Sequence, residues 1–152
     1  MRILAIILVS FIAFSTEVSS AVISVNNFGF VASEKKAEKL LLDFYTKYFH
    51  AFFEMPPALS ENKLDSLQKQ FCTPGFYQKI PKILEKTGAD VFLKAQDSDI
   101  RYLMSLKIKK DLKRDAYIVS YVGDGQLNEK ITIEIFIQLV RVLNSYKIDS
   151  VR

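Results

Sequence analysis

The sequence predicts an α+β domain with its helices first and an antiparallel sheet second. Three observations carry this. Apolar residues recur at helical spacing through the first half of the chain and then switch to strict alternation. Proline and glycine stand where one pattern gives way to the next. The links between alternating segments are short, which favours an antiparallel meander over crossover connections.

The elements follow in order. Met1-Arg2, the apolar run Ile3 to Phe14 and the small residues Ser19-Ser20-Ala21 have the order of parts of a secretory signal peptide, residues 1–21, cleaved after Ala21. The run is about a dozen residues, short of the ~20 that a spanning helix needs, so no stable membrane span is expected. No cysteine follows it to take a lipid anchor. Residues 22–33 form an N-terminal arm, with Val22 to Val31 expected as an extended lead-in and Ser33 as an N-cap. From Glu34 to Phe53, Ala37, Leu40, Leu41, Phe44, Tyr45, Tyr48, Phe49 and Phe52 fall on one helical face, with Lys39, Asp43, Thr46, Lys47, His50 and Glu54 opposite. Pro56-Pro57 ends that helix. A second helix is expected from Glu61 to about Phe71, with Leu64, Leu67 and Phe71 on one stripe. Thr73-Pro74 starts a third, Pro81 kinks or divides it, and Gly88 stops it. Strands are expected at Leu103 to Lys110, Ala116 to Val122, Ile131 to Val140 and Ser145 to Val151, with turns at residues 111–114 and 123–125. Residues 34–152 then make a single domain.

Composition narrows the chemistry. About 130 residues after processing suit one ordinary domain with a sizeable core. Cys72 is the single cysteine, so the chain cannot close an internal disulfide. The formal net charge of +4 is too mild for a nucleic-acid footprint. No phosphate-cradling glycine loop, nucleophile elbow, metal-type Cys/His spacing or dinucleotide fingerprint is present, so no cofactor and no metal are expected.

Two stretches resemble a known family. Thr73-Pro74-Gly75-Phe76-Tyr77, followed by Gly88-Ala89-Asp90-Val91-Phe92-Leu93-Lys94-Ala95-Gln96-Asp97, is similar to the domain-of-unknown-function family 3828, small exported bacterial proteins. Its members carry an aspartate, an apolar pair and then Ala-Gln-Asp at this place. The ending Tyr146-Lys147-Ile148-Asp149-Ser150-Val151 resembles the closing strand common in the nuclear transport factor 2-like (cystatin-like) superfamily, with tyrosine where tryptophan is usual. The resemblance covers about Glu34 to Arg152. It implies a cone, in which helices close one end of a strongly curved sheet, and a periplasmic or surface setting in a Gram-negative bacterium. It implies no reaction, since cones of this type serve as enzymes, ligand pockets and docking surfaces alike.

The candidate site residues each have a plainer reading. Gln96, Asp97 and Asp99 could hold a cation or exchange protons, but aspartate at such a junction more commonly satisfies backbone amides. A calcium loop needs more regularly spaced oxygens than Asp97-Ser98-Asp99 offers. Asp90 is expected in a turn or cap. Tyr102, Tyr117 and Tyr121 are expected on strand faces. One of these tyrosines could join a carboxylate (Asp97, Asp99, Asp124 or Glu134) in a dry, isomerase-like pocket, or all could simply pack. His50, the only histidine, suits a solvated ion pair with Glu54. Cys72 is expected as a buried, inert thiol, with intermolecular pairing as the alternative. Lys107, Lys109, Lys110, Lys113 and Arg114 form a basic cluster that could meet an acidic protein face or anionic headgroups, or guard a sheet edge.

The expected function is that of an exported, non-catalytic binding or accessory protein working through an envelope protein partner. A periplasmic immunity protein and a small isomerase-like enzyme are the alternatives. Carriage of a small apolar ligand is weaker, since it needs an open cavity with few polar groups.

Overall fold

The computed structural model describes residues 19–95, 99–125 and 129–152, with side chains from Ser33 onward. Among these, four α-helices precede four strands: α1 (Ser19–Phe52), α2 (Pro57–Phe71), α3 (Pro74–Tyr77), α4 (Ile80–Thr87), then β1 (Lys107–Asp111), β2 (Ala116–Asp124), β3 (Lys130–Val142) and β4 (Ser145–Val151). A 3₁₀ helix at Ile100–Ser105 stands between the two groups. The chain divides into two compact units, residues 1–32 and 33–152. In the first, the described residues are helical.

Helix α1 is longer than its amphipathic stretch. The expected extended lead-in, Val22 to Val31, is helical, and Ser33 lies within the helix rather than at its cap. No proline interrupts Ser19–Phe52, and the one interior glycine, Gly29, costs only about 1 kcal/mol. The Ser33 hydroxyl pairs instead with the Tyr146 hydroxyl. The apolar face is as the spacing predicts: Ala37, Leu41, Phe44, Tyr45, Tyr48 and Phe49 are fully buried. Phe44 sits at the centre of this aromatic core, with ring centroids 5.4 Å from Tyr45, 5.3 Å from Phe71 and 4.9 Å from Phe92.

Prolines set the other helices. Pro57 opens α2 one turn earlier than its apolar stripe predicts, because proline suits the first helical turn. The Thr73 hydroxyl caps α3 by accepting from the Phe76 amide at 3.2 Å. Near Pro81 the third predicted helix divides into α3 and α4. Gly88 ends α4 in the left-handed region at φ 65°, where a side chain would be strained.

The sheet runs β1-β2-β3-β4, all antiparallel and not closed. Tyr117, Val119 and Tyr121 on β2 oppose Ile137, Ile135 and Ile133 on β3 and form the core-facing rows. A Cβ at Gly123 would lie 2.9 Å from the Ile133 Cδ1, so a larger residue there would push the tip of that side chain aside. The register shifts between Gln138 and Leu139, a bulge that bends the strand and raises its local twist.

The two outer strands differ. The free edge of β4 is tied to the α2–α3 junction: Cys72 forms a parallel bridge with Ile148, and the Thr73 amide donates to the Ile148 carbonyl at 2.8 Å. Thr73 also donates its hydroxyl proton to Asp149 Oδ1 at 2.8 Å. Among the described residues, no backbone hydrogen bond covers the free edge of β1.

Candidate functional site

Asp90 organises a polar cluster inside the domain. After α4 stops at Gly88, the chain turns tightly through residues 90–95, and the Asp90 Oδ1 accepts the Phe92 and Leu93 amides at 2.8 Å each. Its Oδ2 accepts the Tyr48 hydroxyl, 42 residues away, at 2.7 Å, and Gln68 Nε2 donates to that hydroxyl at 3.1 Å. Burial raises the Asp90 carboxyl above the ordinary range, with the Tyr48 and amide hydrogen bonds pulling the other way. Burial likewise raises Tyr48 and Tyr45 well above the usual phenol range, and the neighbouring Asp90 charge adds to both. The Tyr121 hydroxyl donates to the Leu93 carbonyl. Among the described side chains, the Tyr45 hydroxyl is the buried polar group left without a partner.

The sequence-suggested tyrosine–carboxylate pair Tyr102–Asp124 forms at the exposed end of β2, and a second pair that the sequence does not suggest, Tyr48–Asp90, forms against the core. Asp90, expected as a turn residue, holds that turn and also reaches Tyr48. Asp90 is itself half-buried, while the Tyr48 ring beside it packs against the fully buried Phe44 and Phe92. Ring centroids lie 5.0 Å apart between Tyr48 and Phe92 and 5.5 Å apart between Phe49 and Tyr121, both edge to face.

The residues singled out from the sequence are spread over several places. Gln96 and Asp97 lie outside the described residues. Asp99 caps the 3₁₀ helix, accepting the Arg101 amide at 2.8 Å and pairing with the Arg101 guanidinium at 2.5 Å. That guanidinium, with the amide, holds the Asp99 carboxyl down at about 2. Tyr102 belongs to the 3₁₀ helix rather than to a strand. It stacks on Tyr121 with centroids 5.8 Å apart and donates its hydroxyl proton to Asp124 Oδ2 at 2.8 Å. Tyr121 is buried. His50 is exposed and is not paired with Glu54, because Lys63 of α2 takes that carboxylate at 2.5 Å. Cys72 is buried, and burial pushes its thiol up to about 12.

The basic cluster divides by strand face. Lys110 points to the core side, with its ammonium 4.9 Å from the Tyr117 ring centre and 2.6 Å from Asp115. Arg114 lies 4.4 Å from the Phe136 ring centre and 3.7 Å from Asp111. Lys113 is exposed, its amide donating to Asp111 at 3.0 Å. Lys107 and Lys109 alternate onto the opposite face from Ile108, across from Ser120 and Ile118 of β2. Among the described residues neither has an ion-pair partner. Beside β1 runs a groove of about 370 Å³ between strand and helix, lined by Lys35, Glu38, Lys39 and Leu42 of α1 and by Leu106 and Ile108.

No protein-family model and no curated protein matches the chain. A solved structure does. It is a protein of unknown function from Bacteroides thetaiotaomicron, 25% identical, with a TM-score of 0.77 over 86% of this chain and 98% of that one. The likeness is one of fold.

Sequence reasoning missed the Tyr48–Asp90 contact and the groove beside β1. The first had a partial signal, an aspartate just past a helix-stopping glycine. The second had only the out-of-pattern Leu42, which lies on the exposed side of an otherwise well-sorted helix.

Proposed function

We propose that this chain is an exported, non-catalytic binding or accessory protein of the cell envelope, acting through a protein partner. The observation that carries the reading is the aromatic packing around Tyr48. A catalytic cone needs a tyrosine–carboxylate pair that faces an open volume, whereas the Tyr48 ring is fully buried against Phe44 and Phe92, and Tyr102–Asp124 lies exposed at the end of β2. The hydrogen bonds of Tyr48 and Asp90 are spent on the turn at residues 90–95 and on Gln68. Surface features remain to do the work.

The chain is further proposed as a nuclear transport factor 2-like domain of the family-3828 kind, in the periplasm of a Gram-negative bacterium. The order of helices and strands and the placement of Asp90 in its motif support this. The order of parts in the opening residues supports export.

The test is capture of the tagged chain from the envelope of its own cells, with mass spectrometry and sequencing of its first residue. One stoichiometric partner, and a chain beginning at Val22, are expected. An empty capture, joined by a small molecule that raises the melting temperature, would overturn the reading.

A further inference from the structure

We propose that the free edge of β1, with the groove between it and α1, binds an extended acidic segment of the partner protein as an added strand. This rests on the reading of the chain as a binding protein and names the surface involved.

Four observations converge. The sheet has two edges, and one is closed: the α2–α3 junction pairs with β4 through Cys72, Thr73 and Ile148. The other, the outer edge of β1, has no backbone partner among the described residues, and in an antiparallel strand the amides and carbonyls that do not face β2 point outward, ready for another chain. The groove beside it has an apolar floor of Leu42, Leu106 and Ile108, with Leu42 half-exposed on a helix whose other large apolar residues in this region face inward. The far side of the strand carries Lys107 and Lys109, whose cross-strand neighbours Ser120 and Ile118 bring no negative charge.

These features specify the occupant. A strand added to β1 sends alternate side chains to opposite faces. Those turned toward the core side meet Leu42 and Ile108 and should be apolar. Those turned the other way stand across from Lys107 and Lys109 and should be acidic, as opposite charges in directly paired positions are favourable. Lys35 and Lys39 on the helical wall add to the positive field, and Glu38 is the one acid in the lining. A second copy of the chain, paired antiparallel about Lys109, would set lysine against lysine there and gain only Lys107 against Asp111, a poorer match than a segment acidic across from both lysines.

The probe is a short peptide alternating glutamate with valine, titrated into the isotope-labelled chain, with a lysine–valine peptide as control. The glutamate peptide is expected to slow hydrogen exchange of the amides in Lys107–Asp111 and to shift the methyl signals of Leu42 and Ile108. Charge reversal at Lys107→Glu and Lys109→Glu together should weaken it about tenfold, two attractive pairs becoming repulsive. Leu42→Asp should weaken it without lowering the melting temperature, because that side chain is already half in water. Equal binding of both peptides, binding without protection of β1, or no binding would overturn the proposal and leave the lysines as edge guards. The two readings separate in the capture experiment. A partner retained by the charge-reversed chain would sink the groove and keep the binding function, whereas peptide binding with an empty capture would do the reverse.

Discussion

Burial pushes the Asp90 carboxyl up, while Tyr48 and two backbone amides hold its charged form in place. Because the folded chain holds this proton more tightly than the unfolded chain, the group contributes stability that is full below the unfolded pKa. That contribution is lost as pH rises through the folded value. Tyr48→Phe deletes a hydrogen bond to the carboxylate, so the Asp90 pKa should climb further, read by carbon-detected titration of the side chain. An unchanged titration would mean the Tyr48 contact does not form in solution. Asp90→Ala leaves two amides and the Tyr48 hydroxyl proton without their acceptor and should cost about 2–3 kcal/mol in urea unfolding. The turn role of Asp90 was legible from Gly88-Ala89-Asp90, since such signals act over a few residues. Its hold on Tyr48 was not, because that contact depends on how α1 lies beside the turn.

Among the elements, the junction of α2 and α3 has the most dependents. Thr73 caps α3 with its hydroxyl and ties it to Asp149 of β4. Thr73→Ala should therefore lower stability by about 1 kcal/mol from the cap. A double-mutant cycle with Asp149→Ala should reveal coupling between a helix start and the last strand; strict additivity would show the tie to be idle. Elements bounded by punctuation were predicted well: Pro74 opens α3, Gly88 closes α4, and Ser145–Val151 is a strand at its expected limits. The miss at Leu103 has a physical cause. Alternation of Leu103, Ser105 and Lys107 imitates a strand, but Asp99 caps a 3₁₀ turn there, and the Ser105 hydroxyl accepts from the Val122 amide. Ladder bonding thus begins only at Lys107.

At the scale of the molecule, Cys72 is walled off where the helices meet β4. With its thiol held up at about 12 and its surface buried, it should resist alkylation at neutral pH in the folded state and react readily in denaturant. A disulfide-linked dimer on a non-reducing gel would contradict this and revive intermolecular pairing. The candidate binding surface was the least legible part of the chain. Lysines at 107 and 109 are visible in the sequence, but whether their strand lies at an open edge, and which helix flanks it, follows from the strand order and from contacts spanning the whole domain. Among the described residues, no helix is long and apolar enough to cross a membrane.

The core joins the beginning of the domain to its end. Phe44, Tyr45, Tyr48 and Phe49 of α1 share one cluster with Ile135 and Ile137 of β3 and Ile148 of β4. During synthesis, which delivers the chain from its N-terminus, the helix emerges with its aromatic face uncovered and must wait for the final residues to cover it. A chain stopped before Ile148 lacks the strand that also anchors Cys72 and Thr73. Closing the core thereby waits for β3 and β4, and until they are made the aromatic face of α1 has no sheet to pack on.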